Sequence, residues 1–300
     1  MLEFDLIIYH YACPDGIMGL WSAYHYLKIP FEKIGMCAGK DPYGTFENKK
    51  ILFIDVCPSK NFILVNTKLA TSITILDHHK SAYDEYTRNK SIYDSIDNLV
   101  CIFDMDRAGC QIAWDYLFES KERPWFINYI ADRDLWLWKL PHAKEITEAL
   151  EFNEYIDETD LSKIDSLLNV KPDTFIKEGA QILKIKNKIM INEFKNAHEA
   201  IFNFKKKKYR VWSCSIIFQF RSEFGNKLIN IPFSDFKLPD FCVIWSYNLK
   251  ENTWFVSLRG SDSSPDLSVI AKHFNGGGHL KAAAFKLNNG KNLTDIISIL

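Results

Sequence analysis

Long apolar runs, a surplus of either charge and paired cysteines are all missing from this 300-residue sequence. Lys plus Arg number 37 and Asp plus Glu 38, a formal charge of -1. That balance excludes a general nucleic-acid coat, which would be basic, but leaves room for a locally basic site for a short anionic substrate. No apolar run is long enough to cross a bilayer, and MLEFDLIIYH has acids where a signal peptide has its basic segment. No membrane association is expected. The cysteines lie at 13, 37, 57, 101, 110, 214 and 242, an odd count without a CxxC pair. A disulfide framework or zinc knuckle is therefore excluded, and a reducing, cytoplasmic setting is the expectation. Internal repeats and low-complexity segments are also lacking.

What is present falls into three stretches. Over the first, strand-like and helix-like segments alternate: FDLIIYH (4–10), IMGLWSAYHYLK (17–28), KKILFIDVCPS (49–59), NFILVNTKLA (61–70), SITILDHH (72–79) and AGCQIAWDYLF (108–118). This rhythm predicts parallel βαβ units, with ligands at the carboxyl ends of the strands. Charge thickens from about 150 to 208, and spaced apolar residues from Phe175 to Ile189 predict a connecting helix. It runs into KKKK (205–208), read as a solvated face. YRVWSCSIIFQF, FCVIWSYN and NTWFVSLRG then read as strands and LSVIAKHF as a helix. The expected fold is α/β: a parallel-sheet domain over 1–165, a helical linker over 166–208 and a smaller α+β domain over 209–300.

Polar residues gather where the first strands stop. His10 and Asp15 follow the first strand in YHYACPDG, Asp55 the second in LFIDVCPS, and Asp77, His78 and His79 the third. Asp132 and Asp134 lie in YIADRDLWLW. Singly, each Asp reads as a turn or cap residue and each His as a structural one. Trp136 and Trp138 read as core. Together they mean more, because parallel strands bring distant carboxyl ends to one edge. Carboxylates crowded there repel unless a cation neutralises them. Mixed with imidazoles, they suit Mn²⁺, Fe²⁺ or Zn²⁺ better than Ca²⁺. The number of such groups exceeds one tetrahedral site and fits two ions roughly 4 Å apart sharing a carboxylate.

The second signal is HFNGGGHLKAAAF (273–285). A helix C-cap needs one glycine; three leave backbone N–H groups accessible to an anion. His279 adds a donor, and Arg259 in VSLRG offers a bidentate fork for phosphate.

With these motifs in order, the sequence resembles the DHH phosphoesterase superfamily, and GGGHLKAAAF resembles the glycine-rich motif of its DHH-associated domain, which WFVSLRG also fits. YHYACPDGIMGLWSAY matches the first motif, FIDVCPS the second, LDHH the third and YIADRD the fourth. The matches span residues 9 to 285. The resemblance implies a phosphoester hydrolase with two divalent ions, Mn²⁺ expected and Mg²⁺, Fe²⁺ or Co²⁺ as alternatives. By motif, the implied metal ligands are His10, Asp15, Asp55, His78 and Asp132, with Asp55 bridging. Asp77, His78 and His79 are the implied catalytic group, His79 orienting or protonating substrate phosphate. Arg259, Gly277, Gly278 and His279 are implied to hold the phosphate or terminal nucleotide. Two departures stand out. Ala12-Cys13-Pro14 occupies the place where many members have a further aspartate, so Cys13 is either a thiolate ligand or inert. AAAF replaces a common AAG.

The resulting expectation is metal-assisted hydrolysis of short single-stranded oligonucleotides in the 3′–5′ direction, with His79 and Arg259 offsetting transition-state charge. A small-nucleotide phosphatase or cyclic-dinucleotide phosphodiesterase is the alternative within enzymes. A non-catalytic nucleotide sensor, favoured by Cys13 alone, is the alternative outside them. No obligate protein partner is expected.

Overall fold

Aliphatic and β-branched runs build the first sheet. In the computed structural model, which describes residues 2–119, 121–217, 220–288 and 290–300, five strands form it: β1 (Leu6–His10), β2 (Glu32–Met36), β3 (Lys50–Ile54), β4 (Ser72–Asp77) and β5 (Leu99–Phe103). All pairings are parallel, in the order β2-β1-β3-β4-β5. Side chains alternate between two covered faces, as a parallel sheet requires. Leu6, Ile8, Ile51, Phe53, Ile73 and Ile75 enter one core. Ile7, Tyr9, Leu52, Ile54 and Leu76 enter the other.

The helices that follow are α1 (Pro14–Leu27), α2 (Lys60–Asn66), α3 (Lys80–Arg88), α4 (Lys90–Tyr93), α5 (Gly109–Phe118), α6 (Trp125–Asp134), α7 (Ala143–Phe152), α8 (Ser162–Asp165) and α9 (Ile176–Glu193). Phe62 and Ile63 of α2 and Tyr93 of α4 pack on the first face. Trp21 of α1, Ile112 and Trp114 of α5, and Phe126 and Ile130 of α6 pack on the second. The chain leaves β1 to one side for β2 and returns on the other as β3. Such a reversal opens a crevice at the carboxyl ends of β1 and β3.

The chain forms two compact units, Met1–Lys184 and Ile185–Leu300. The second contains β6 (His198–Phe204), β7 (Lys207–Ser215), α10 (Arg221–Leu228), β8 (Phe241–Asn248), β9 (Thr253–Arg259), α11 (Leu267–His273), β10 (Gly277–Gly278), β11 (Ala282–Leu287) and β12 (Ile297–Ile299). The strands form one seven-stranded sheet, β10-β11-β9-β8-β7-β6-β12, with only β7 and β8 parallel. Two cores cover it, one with Leu267, Ile270 and Ala271 of α11, the other with Phe224 and Leu228 of α10.

Several expectations change at this level. The linker helix α9 ends at Glu193, and a short 3₁₀ turn closes at Asn196. From His198 the chain is already in the second sheet, ahead of the expected start at 209. Lys205–Lys208 are exposed, but on the β6–β7 turn and the first residues of β7 rather than on a helix. The strand expected over 209–220 ends at Ser215, and residues 218 and 219 lie outside the described ones. Among the described residues, no helix is long and apolar enough to cross a membrane.

Candidate functional site

The carboxyl ends of β1, β3 and β4 are adjacent, and the side chains there converge. His10 ends β1, Asp55 follows β3, and Asp77 ends β4. Asp55 is fully buried and takes a left-handed backbone, φ 59°. That conformation is uncommon outside glycine and, at a functional position, is held by its surroundings. Its N–H donates to Leu76 O at 2.8 Å. Behind it, Gly109 opens α5; a Cβ there would fall 2.5 Å from Asp55 Cβ.

Asp55 divides its two oxygens between two groups. Oδ2 lies 3.1 Å from His10 Nδ1, and a donor atom from each of His10, Cys13 and Asp55 falls within one 4.8 Å cluster. Oδ1 lies 3.1 Å from His78 Nε2. The same His78 nitrogen is 3.4 Å from Asp15 Oδ2 and 3.5 Å from Asp134 Oδ2, and Asp15, His78 and Asp134 form a second cluster. One imidazole nitrogen cannot hydrogen-bond to three carboxylates at once.

Asp77 works differently. Its Oδ1 accepts from the backbone N–H groups of His78 (2.7 Å) and His79 (3.1 Å) and meets His79 Nδ1 at 2.7 Å. It thus sets the turn after β4 and orients the His79 ring. Asp15, at the start of α1, accepts from Gly109 N (2.7 Å) and Cys110 N (2.8 Å). Its carboxylate sits on the amino end of α5, where the helix dipole favours negative charge.

The structure does not bring Asp132, expected as a ligand, into either donor cluster. Its oxygens accept from the backbone N–H groups of Lys139 (2.9 Å) and Leu140 (3.1 Å), and it holds the turn after α6. Asp134 takes its place beside His78. Two residues apart on a helix, the two carboxylates point about 200° apart, so only one can face the strand ends. Sequence alone gives no sign of which.

Protonation reflects the crowding of charge in the cluster. Burial, then the charges of Asp55 and Asp134, push the Asp15 carboxyl well above its ordinary range. Burial also raises Asp55, but the hydrogen bonds of His10 and His78 and the charges of His10 and His79 outweigh it and hold Asp55 well below. Burial disfavours protonated His78, yet Asp55, Asp134 and Asp15 raise it to about 10. Burial likewise opposes protonated His10, while Cys13 and Asp55 raise it well above the usual imidazole value. The carboxylates thus recruit protons to offset their own repulsion, the work a bound cation would do instead. The buried oxygens Asp77 Oδ2 and Asp134 Oδ2 also have no hydrogen-bond partner among the described residues. This mixed carboxylate and imidazole donor set, with Asp55 facing both clusters, fits divalent-metal binding.

In the second unit, Arg259 ends β9. Its Nη2 donates to Ser222 Oγ at 2.7 Å and its Nη1 to Leu258 O at 2.8 Å. Burial, with the like charge of Arg221, lowers it to about 10, so it is still a cation at neutral pH. The glycines are more ordered than a loop: Gly277 and Gly278 form β10 and pair with Ala284 and Ala283 of β11. Gly278 has φ 133°, and a Cβ there would fall 2.5 Å from Ala282 O. Ala282 is the register partner of Arg259 and accepts from His279 N at 2.7 Å. Arg259, Gly277, Gly278 and His279 therefore share one end of this sheet.

Residues 237–300 match the model of the DHHA1 domain. The whole chain is similar to the uncharacterized protein R106 of Acanthamoeba polyphaga mimivirus, 28% identical over 306 residues, covering 96% of this chain and 69% of that one. Solved structures with similar features include an uncharacterized protein from Helicobacter pylori G27 (17% identity, TM-score 0.39, 97% and 96% coverage). An exopolyphosphatase-related protein from Bacteroides fragilis is 15% identical, with a TM-score of 0.40 and coverage of 97% and 88%. The pGpG-specific phosphodiesterase PggH from Vibrio cholerae is 7% identical, with a TM-score of 0.39 and coverage of 96% and 93%. Scores below 0.5 are too loose to carry a substrate or mechanism across.

Proposed function

We propose that this chain, whose residues 237–300 match the DHHA1 domain, is a DHH-type metal-dependent phosphoesterase acting on short single-stranded oligonucleotides from the 3′ end. One observation carries the reading: buried Asp55 turns one oxygen to His10 and the other to His78, beside Asp15 and Asp134. His10 and Asp55 would hold one ion, and Asp15, Asp55, His78 and Asp134 the other. When bound, the pair supplies Lewis-acid polarisation of the phosphoryl group and a water of lowered pKa, with Mn²⁺ the expected occupant.

The protein's own groups have separable tasks. Asp77 accepts from His79 Nδ1 and so fixes the imidazole tautomer, aligning the opposite ring nitrogen for proton exchange with a phosphate oxygen. Ser222 and the Leu258 carbonyl hold the Arg259 guanidinium in one orientation, so less freedom is lost when it binds an anion. The glycines of β10 let an anionic end approach the backbone closely. Near-neutral net charge suits short substrates rather than long tracts of nucleic acid.

The test is a Mn²⁺ assay over dinucleotides, bisphosphorylated nucleosides and cyclic dinucleotides, with Asp55→Asn as control. Mononucleotides released from a linear dinucleotide, and lost in Asp55→Asn, are the expected result. Phosphate release from a bisphosphorylated nucleoside alone would make the protein a phosphatase. No turnover on any of them would sink the hydrolase reading.

A further inference from the structure

Cys13 occupies the N-cap of α1, a position that Ser, Thr, Asp or Asn would fill with about 1 kcal/mol of advantage. Its side chain makes no capping hydrogen bond there. Five of the seven cysteines pack in or against apolar clusters, as free cysteines usually do. Cys37 is exposed. Cys13 belongs to none of those clusters; its Sγ lies within 4.8 Å of a His10 ring nitrogen and an Asp55 oxygen. A thiol that neither caps its helix nor packs in a core, and instead meets an imidazole and a buried carboxylate, is placed as a ligand.

We propose that Cys13 is a thiolate ligand of the ion held by His10 and Asp55, so that the two metal positions differ in chemistry. The inference rests on the metal-dependent reading above and deepens it. Sulfur, imidazole and carboxylate together favour Zn²⁺, Co²⁺ or Fe²⁺. The neighbouring group of Asp15, Asp55, His78 and Asp134 is richer in oxygen and suits Mn²⁺ or Mg²⁺. On binding, a sulfur–metal bond forms and the Sγ proton passes to solvent. No oxidant or reductant takes part.

Titration of the full chain with Co²⁺ tests this without reference to turnover. The wild type should develop the near-ultraviolet sulfur-to-cobalt charge-transfer absorption. Cys13→Ser and Cys13→Asp should lose it while still binding Co²⁺ by calorimetry. Zn²⁺ should slow alkylation at Cys13, read by peptide mass. The preference for Zn²⁺ over Mn²⁺ should fall by about tenfold or more in Cys13→Asp, the scale on which even groups outside the ligand set alter metal affinity. Absence of the band from the Co²⁺-saturated wild type, its survival in Cys13→Ser, or unprotected alkylation would each overturn the assignment. The band can be present in a protein that hydrolyses nothing, and hydrolysis can persist without the band, so the two readings fail separately.

Discussion

Asp132 and Asp134 lie two residues apart in ADRD, and their substitutions should produce opposite signatures. Asp132 is buried and satisfies the N–H groups of Lys139 and Leu140. Asp132→Ala leaves those donors without their charged acceptor and should cost about 2 kcal/mol of stability, with metal affinity in the folded protein largely kept. The Asp134 side chain is 26% exposed and meets His78 at 3.5 Å. Asp134→Asn should leave the melting temperature of the metal-free protein nearly unchanged and weaken Mn²⁺ binding by about 10-fold or more. Calorimetric melting and metal titration of both variants check this. If Asp132→Ala alone lost the metal, the correction to the ligand set would be wrong.

At the level of elements, α5 is the wall against which the strand ends are set. Asp15 holds its first turn, and Gly109 lets it touch Asp55. Gly109→Ala should cost about 1–3 kcal/mol through overpacking and, because the nearest atoms belong to Asp55, weaken metal binding as well. Denaturant melts and metal titration of one preparation would register both losses. Farther along α5, Asp115 pairs with Arg123 and Arg107. Burial raises its carboxyl, but those two guanidinium groups outweigh it and bring it below its ordinary value. A depressed folded pKa means stability that is present above the unfolded value of about 3.9 and lost as pH falls through the folded one. Asp115→Asn should therefore cost about 1 kcal/mol at pH 7, with the gap from wild type closing as pH drops below about 4; urea melts across that range would show it.

The same scale explains what could be read from sequence. β1, β3 and β4 are apolar runs ending in chemistry-bearing residues, so their strand character and convergence were both legible. β2 was not: it is an edge strand, EKIGM, mostly exposed, and it lacks the apolar run that marks a buried parallel strand. β6, HEAIFNF, follows a helix with no proline break to mark where the helix stops. The glycine run reads as an open loop in sequence because its pairing with Ala283 and Ala284 depends on a fold-back over the short turn at His279. Cys13 stood out as a departure, but only the approach of α1 to β1 shows which way its sulfur faces.

Across the whole molecule, the proposed function divides between cation binding in the first unit and phosphate recognition at one end of the second unit's sheet. That division predicts two variants that fail differently. Metal at 100 times its Kd should stabilise the wild type by about 2.7 kcal/mol. Asp55→Asn should abolish that shift, because the carboxylate facing both donor groups is gone. Arg259→Ala should preserve it and raise KM for a dinucleotide by about 10–100-fold, equivalent to one charged hydrogen-bonding group worth about 1.5–3 kcal/mol. Thermal melts with and without Mn²⁺, set beside steady-state kinetics, measure both. Should Arg259→Ala remove the metal-dependent shift, Arg259 would be supporting the cation site, and the assignment of phosphate recognition to the second sheet would fall while the ligand set of the first unit stood.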